Sequence, residues 1–477
     1  MAYDLSLPSD PNLAPGEARC PGPSTRDLIL LDQDNTPPPL LAQSYQFLGD
    51  ADIPFDRYYS KEMFAREIDH MWTRTWQWAC REEHIPNSGD YYVYDVGPYS
   101  FVVIRTQDGD IKGYYNACLH RGMQLCEPHS QGTGKQFIRC PFHGIAWHLN
   151  GELKEIPCRW DFPHIKDGEF KLPEVRVATW GGFVFINMDE NAPPLAEFLE
   201  ALPEHFKYWP LQDRYVSLHV TKILPSNWKM AMEAFLEAFH VLATHPQGLK
   251  SAGDANAQYD VFGKNVTRFI HTIGHPSPHL PVPPTQDEML QLLGGRRPGV
   301  AAGVGDNAAK VGGDALPAGV LARSVVVEGM RENLSAAFGV DLSKVSTSEM
   351  MDSIEYWLFP NMCLFPGISL PMIYRFRPNG MDVDSCIHEI LFLTPVPKDK
   401  PRPPPAKAYR LAEEDSFTTV PGFSEGLAGV FDQDTANLRR QRDGVKASRK
   451  RGQTLGNYQE VRIRRFHMTL DEYLSTP

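Results

Sequence analysis

Cys118-Leu119-His120-Arg121-Gly122 and Cys140-Pro141-Phe142-His143-Gly144, with nineteen residues between His120 and Cys140, bound the segment that decides the fold. Each short loop supplies one thiol and one imidazole, so four soft or borderline metal ligands fall within a short span. Such a set binds zinc tetrahedrally, or it holds a 2Fe-2S cluster with both cysteines on one iron and both histidines on the other. A zinc finger pairs like with like, as C-x(2–4)-C and H-x(3–5)-H. Here each loop is mixed, which suits the two-iron cluster. Gly122 and Gly144 follow the histidines where the backbone has to turn tightly, and Pro141 stiffens the second loop.

C-x-H-R-G and C-P-F-H-G together resemble the ligand loops of the Rieske family, which implies a 2Fe-2S cluster held by Cys118, His120, Cys140 and His143. Around the loops, from about residue 90 to 185, run short alternating segments: Tyr91-Tyr92-Val93-Tyr94, Phe101-Val102-Val103-Ile104 and Gly182-Phe183-Val184-Phe185-Ile186. They predict a small antiparallel β-domain. Ahead of it, Ser60 reads as an N-cap, and Met63, Phe64, Ile68, Met71, Trp72 and Trp76 recur at helical spacing to about residue 77. Residues 1–55, rich in Pro, Asp and Ser, read as an extended arm with little helix or sheet, so the first domain is expected over 56–200.

Asn191-Ala192-Pro193-Pro194 marks the exit to a second region, 201–477, with strand-like runs at 215–223, 355–359, 371–376 and 385–393 and helical character at about 425–450 and near Leu470. Residues 276–320 are rich in Gly, Pro and Ala and read as a mobile insertion. The fold class is α+β: a small antiparallel β-domain, then a larger domain in which helices and an antiparallel sheet enclose a pocket.

In the helix predicted after Pro225, Glu233, Glu237 and His240 stand at i, i+4 and i+7 and share one stripe. His245 would point away on a straight helix, but Pro246 pushes the residue before it out of the α region and lets His245 swing back. On an isolated helix these would be a core histidine and a solvated acidic face. Two histidines and a carboxylate with open positions, however, form the facial triad of a non-haem Fe(II) oxygenase, and a Rieske centre supplies electrons singly to such an iron.

E-x-x-x-E-x-x-H-x-x-x-x-H after Asn227-Trp228-Lys229 resembles the mononuclear iron motif of the large (α) subunit of Rieske non-haem iron aromatic-ring-hydroxylating oxygenases, a likeness covering residues 55–470. The resemblance implies iron ligands His240, His245 and a distant Asp. Asp434 matches best, three residues before Asn437 and Leu438, with Asp432 as the alternative. Glu237 takes the place of the bridging carboxylate, most often Asp in the family and Glu in some oxygenases of quaternary amines. The resemblance further implies electrons from NADH through a flavin reductase, with or without a ferredoxin. These pass by way of His143, Glu237 and His240 to the iron of an adjacent subunit, in a homotrimer with or without a small β subunit. The activity it implies is oxygenation of an aromatic ring, to a cis-dihydrodiol or a single hydroxyl. A monooxygenase or demethylase of a quaternary amine is the alternative within the class, and a Rieske electron carrier the alternative outside it.

At 477 residues the chain exceeds what one core usually supports. It has no run of eighteen apolar residues, and its start lacks a basic n-region and an apolar h-region, so a cytoplasmic location is expected. A formal charge of −12 argues against nucleic acid or an anionic membrane as partner. The remaining cysteines, Cys20, Cys80, Cys126, Cys158, Cys363 and Cys386, read as free or buried thiols. His271, His275 and His279 are expected in a loop, because Pro276 and Pro278 exclude a helix. Gly303-Val304-Gly305-Asp306-Asn307-Ala308 lacks the strand a nucleotide loop requires. Arg439, Arg440, Arg442, Lys446, Arg449, Lys450 and Arg451 read as a solvated face, with contact to an acidic ferredoxin as the other use. Met232, Phe235, Phe239, Leu358 and Phe359 are candidate pocket residues.

Overall fold

The computed structural model describes residue 10 and residues 12–295 and 315–475. The chain forms two compact units: Ala65–Phe198 with Pro378–Met381 and the residues from Tyr473, and the rest of the chain.

In the first unit, seven antiparallel strands line up in the order Gln77–Arg81, Phe183–Asn187, Glu174–Trp180, Ile111–Tyr115, Tyr99–Arg105, Tyr91–Val96 and Gln131–Gly132. Tyr91–Val96 and Tyr99–Arg105 form a hairpin closed at Gly97-Pro98. Gly97 has φ +55°, and a Cβ there would meet Ile68 at 2.6 Å, so the turn requires glycine. A second, three-stranded sheet of Ile138–Arg139, Ala146–Trp147 and Leu153–Glu155 carries the Cys140 loop between its first two strands. Val93, Val102, Ile104, Tyr114, Ile138 and Trp147 pack one core with Cys118 and Cys140. Both cysteines therefore rise from a rigid base.

The second unit is built on an eight-stranded sheet ordered Gln258–Val261, Val266–His271, Ser353–Leu358, Met362–Leu364, Met372–Asn379, Asp382–Pro395, Arg214–Leu224 and Ala408–Leu411. The sheet is antiparallel as expected, except that its last strand pairs parallel to Arg214–Leu224. Helices Trp228–Glu233, Glu425–Ala447 and Val461–Ser475 accompany it. Trp228, Trp357 and Phe466 meet edge-on at 5.6 and 5.8 Å in its core.

Several expectations change. The helix capped by Ser60 runs Lys61–Glu67 and continues as a π-turn over Ile68–Trp72, so it ends before Trp76, which leads into strand Gln77–Arg81. The arm contains two short helices, Thr25–Leu30 and Pro38–Leu41, the first closed by a reciprocal Ser24–Asp27 cap. It is tied down by Arg323 to Asp32 at 3.1 Å and by Asp260 to the Ser44 N–H at 2.6 Å. Within 276–320, residues Gln286–Gly295 form a helix that packs on Ala322–Phe338 through Met289, Leu293, Val326 and Val327. Gly303–Ala308 and Gly312–Asp314 lie outside the described residues. His271 ends a strand rather than sitting in a loop. The described cysteines are all free thiols. No helix among the described residues is long and apolar enough to cross a membrane.

Candidate metal centres

The two loops of the first unit repeat one hydrogen-bond scheme. The Cys118 N–H donates to the Met123 carbonyl and the Gly122 N–H to the Cys118 carbonyl, at 2.8 and 2.9 Å. Cys140 and Gly144 do the same, at 2.8 Å to the Ile145 carbonyl and 3.1 Å to the Cys140 carbonyl. Gly122 and Gly144 have φ +76° and +77°, a left-handed turn that bends each loop around its own side chains. The scheme brings the imidazoles of His120 and His143 to 4.7 Å between ring centroids. Burial and the neighbouring Cys140 thiol raise the Cys118 thiol, while the His120 and Arg121 N–H groups oppose that rise. Nδ1 of His120 is buried without a protein partner. Two adjacent thiols, two facing imidazoles and an orphaned ring nitrogen fit a bridging 2Fe-2S cluster.

In the second unit the helix begun by the Asn227 cap ends at Glu233, not beyond His240 as the periodicity predicts. Its last turn tightens, with Phe235 and Leu236 N–H groups bonded three residues back. The carbonyl of Leu236 is taken by the buried Arg462 at 3.0 Å and the N–H of Ala238 by the Tyr259 hydroxyl at 2.9 Å. The expected stripe is thereby broken: Glu233 turns to Tyr58 and His467, at 2.8 Å each, and Glu237 turns to His240. A short helix, Val241–Thr244, follows, and His245 leaves it with φ −123° and ψ 51°.

His240, His245 and Asp434 then converge, each offering one ligand atom within 4.8 Å of the others. Oδ1 of Asp434 lies 2.7 Å from Nε2 of His245 and 3.5 Å from Nε2 of His240. The far nitrogens are held from behind: Nδ1 of His240 by Glu237 at 2.7 Å and Nδ1 of His245 by Gln433 at 2.8 Å. Each Nδ1 is thus held on its outer side and each Nε2 is turned toward Asp434, the arrangement of a ligand set oriented by a supporting shell. Burial alone would depress the His240 imidazole, and the Glu237 and Asp434 carboxylates override it and raise it.

Both units also match known protein families. Residues 204–476 match the ring-hydroxylating alpha-subunit catalytic domain, and residues 75–166 match the Rieske [2Fe-2S] domain. The chain belongs to the ring-hydroxylating alpha-subunit family. A Rieske 2Fe-2S cluster and a mononuclear iron are the cofactors of such a chain. This alpha subunit is 30% identical over 202 residues to the carnitine monooxygenase oxygenase subunit of Escherichia coli K12, covering 41% of this chain and 52% of that protein. It is 31% identical over 213 residues to the large oxygenase component of salicylate 5-hydroxylase from a Ralstonia species, covering 40% and 48%. It thus spans about half the length of these relatives. Its fold is similar to that of a quaternary ammonium Rieske monooxygenase, with TM-score 0.61 and 17% identity over 90% of this chain and 97% of the other.

Beside His240 and Asp434 of the alpha subunit lies a cleft of about 180 Å³, lined also by Glu233, Glu237, Glu460 and Gln453, among others, but not by His245. None of the five apolar candidates lines it. Met232 packs under Trp357, Phe235 joins the ring cluster of Phe376 and Phe431, Leu358 and Phe359 are core, and Phe239 is exposed. Asp432 sits away from the triad, accepting from Ser416 and from the Phe417 N–H at 3.0 Å. Within the basic run, Arg439 pairs with Glu413 and Glu414, Arg442 with Asp443, Lys446 with Asp384 and Lys450 with Asp52. Sequence reasoning missed Gln433, an exposed residue with no periodic signal, and Glu460, which stands outside every motif.

Proposed function

We propose that this chain is the terminal oxygenase of a Rieske monooxygenase acting on a quaternary ammonium compound. Cys118, His120, Cys140 and His143 would hold the cluster, and His240, His245 and Asp434 the iron. The observation that carries the substrate class is Glu237 at the bridging position, held 2.7 Å from Nδ1 of His240, and the carnitine monooxygenase relative points the same way.

A cluster held by Cys118, His120, Cys140 and His143 would supply electrons one at a time, and an iron held by His240, His245 and Asp434 would supply oxygen activation. The chain's own residues do the rest. Glu237 and Gln433 fix the two imidazoles, and Asp434 supplies the compensating negative charge. An external flavin reductase, with or without a ferredoxin, is the proposed electron source, and a ring of three copies the proposed assembly. A second reading, hydroxylation of an aromatic ring, is favoured by the salicylate 5-hydroxylase relative.

The test is turnover under isotopically labelled dioxygen with a surrogate reductase, against a panel of quaternary amines and arenes. One labelled oxygen entering a quaternary amine is the expected product. Labelled diols from arenes, with the amines untouched, would replace this reading by the second.

A further inference from the structure

His271 ends the strand Val266–His271, and its ring has had no role so far. Side chains two apart on a strand share a face, and Phe269 packs in one core with Val241, so His271 lies on the face turned to the segment that carries His240 and His245. Burial brings its imidazole down to about 4 against the pull of Asp254 and Asp352, and His240 and His245 add to the fall. The ring is therefore neutral near pH 7, with one N–H to give.

Opposite His271 the neighbouring chain bulges. Gln258 pairs with Ile270 and Ala252 with Ile273, so residues 253–257 stand against His271 and Thr272 alone. They turn there, the Ala257 N–H donating to the Asp254 carbonyl at 3.1 Å, and the Gly253 N–H donates to the Thr272 carbonyl at 3.2 Å. The N-terminal arm covers the bulge: the Thr25 hydroxyl donates to the Asn256 carbonyl at 2.7 Å, and Cys20 stands close to Asp254.

Four polar atoms gathered by this bulge are buried without a partner among the described residues: Oδ1 of Asp254, Oδ1 of Asn256, Nε2 of His271 and Oγ1 of Thr272. Asp254 is 2% exposed and has no ion pair among the described residues. Buried polar atoms are rarely left so, and a buried carboxylate without a cation is costlier still. His271 keeps accessible surface, which leaves room beside its ring. The carboxylate and the amide oxygen only accept, so the set suits a ligand that brings both an O–H donor and a positive charge.

We propose that Asp254, His271 and Thr272 hold the hydroxyl end of a quaternary ammonium alcohol. The ligand O–H donates to Oδ1 of Asp254, its oxygen is open to His271 and Thr272, and the ammonium charge offsets the Asp254 carboxylate. These are specificity residues: they select among cations and bind no metal. The inference rests on the quaternary ammonium reading above.

The test is calorimetry of the iron-loaded holoenzyme with choline and with ethyltrimethylammonium, the same cation without the hydroxyl. The wild type should bind choline about ten- to a hundredfold more tightly, the worth of a hydrogen bond to a charged group. His271→Phe should lose that preference and leave the affinity for ethyltrimethylammonium unchanged, whereas Asp254→Ala should weaken both cations and lose the preference as well. Iron content and the 2Fe-2S spectrum check that the variants fold, and the wild-type comparison stands without them. Equal affinities in the wild type, as expected if the four atoms merely bond buried water, or a preference that survives in both variants, overturn the proposal and leave the functional reading standing. Failure of both cations to bind the wild type overturns both.

Discussion

Two residues stand behind the proposed iron ligands and hold them in place. Glu237 and Gln433 each hold the outer nitrogen of one histidine, so both rings present Nε2 toward Asp434. Removing such a support typically weakens metal affinity about 10–100-fold. Gln433→Leu should therefore lose iron to a competing chelator at that lower affinity while the visible spectrum of the 2Fe-2S cluster stays unchanged. Asp432→Asn separates the two candidate aspartates. Because Asp432 bonds the Ser416–Phe417 turn, the variant should cost about 1–3 kcal/mol in urea unfolding and keep its iron. The metal-binding residue types were legible in the sequence because coordination chemistry restricts them to a few side chains. Gln433 was not, since an exposed glutamine next to an aspartate has no spacing that marks it.

At the level of elements, the instructive case is the helix that stops at Glu233. Apolar periodicity continues past it, and what ends the helix comes from far away: Arg462 on the Leu236 carbonyl and Tyr259 on the Ala238 N–H. No local pattern reports such partners. Tyr259→Phe would leave a buried N–H unsatisfied, an expected loss of about 1–3 kcal/mol in chemical denaturation accompanied by weaker iron binding. The N-terminal arm offers a pH test. Burial pushes the Asp32 carboxyl up to about 7, against the pull of Arg323, and its side chain is wholly inaccessible. Its folded value lies above the unfolded value of about 3.9, so the native state holds the proton more tightly. Its stabilising contribution is full below about pH 4 and is lost as pH rises through about 7. The melting temperature should fall over that window, and Asp32→Asn should flatten the slope.

Across the whole molecule, the order of a small β unit carrying the Cys/His loops and a larger α+β unit carrying the triad was readable, because alternation and ligand spacing are local properties. The full eight-stranded sheet was not. Strands Gln258–Val261, Met362–Leu364 and Ala408–Leu411 are only three or four residues long, and the last pairs in parallel with a strand nearly two hundred residues earlier. Strands so short carry too few alternations to stand out. Both units matter to the central claim, that one chain holds a cluster in the first and a separate iron in the second. Iron and acid-labile sulfide counted per chain, in anaerobically purified wild type and Asp434→Ala, test it most directly. The account expects three irons and two sulfides in the wild type and two of each in the variant. Two irons in both proteins, or zinc in place of the cluster, would contradict it.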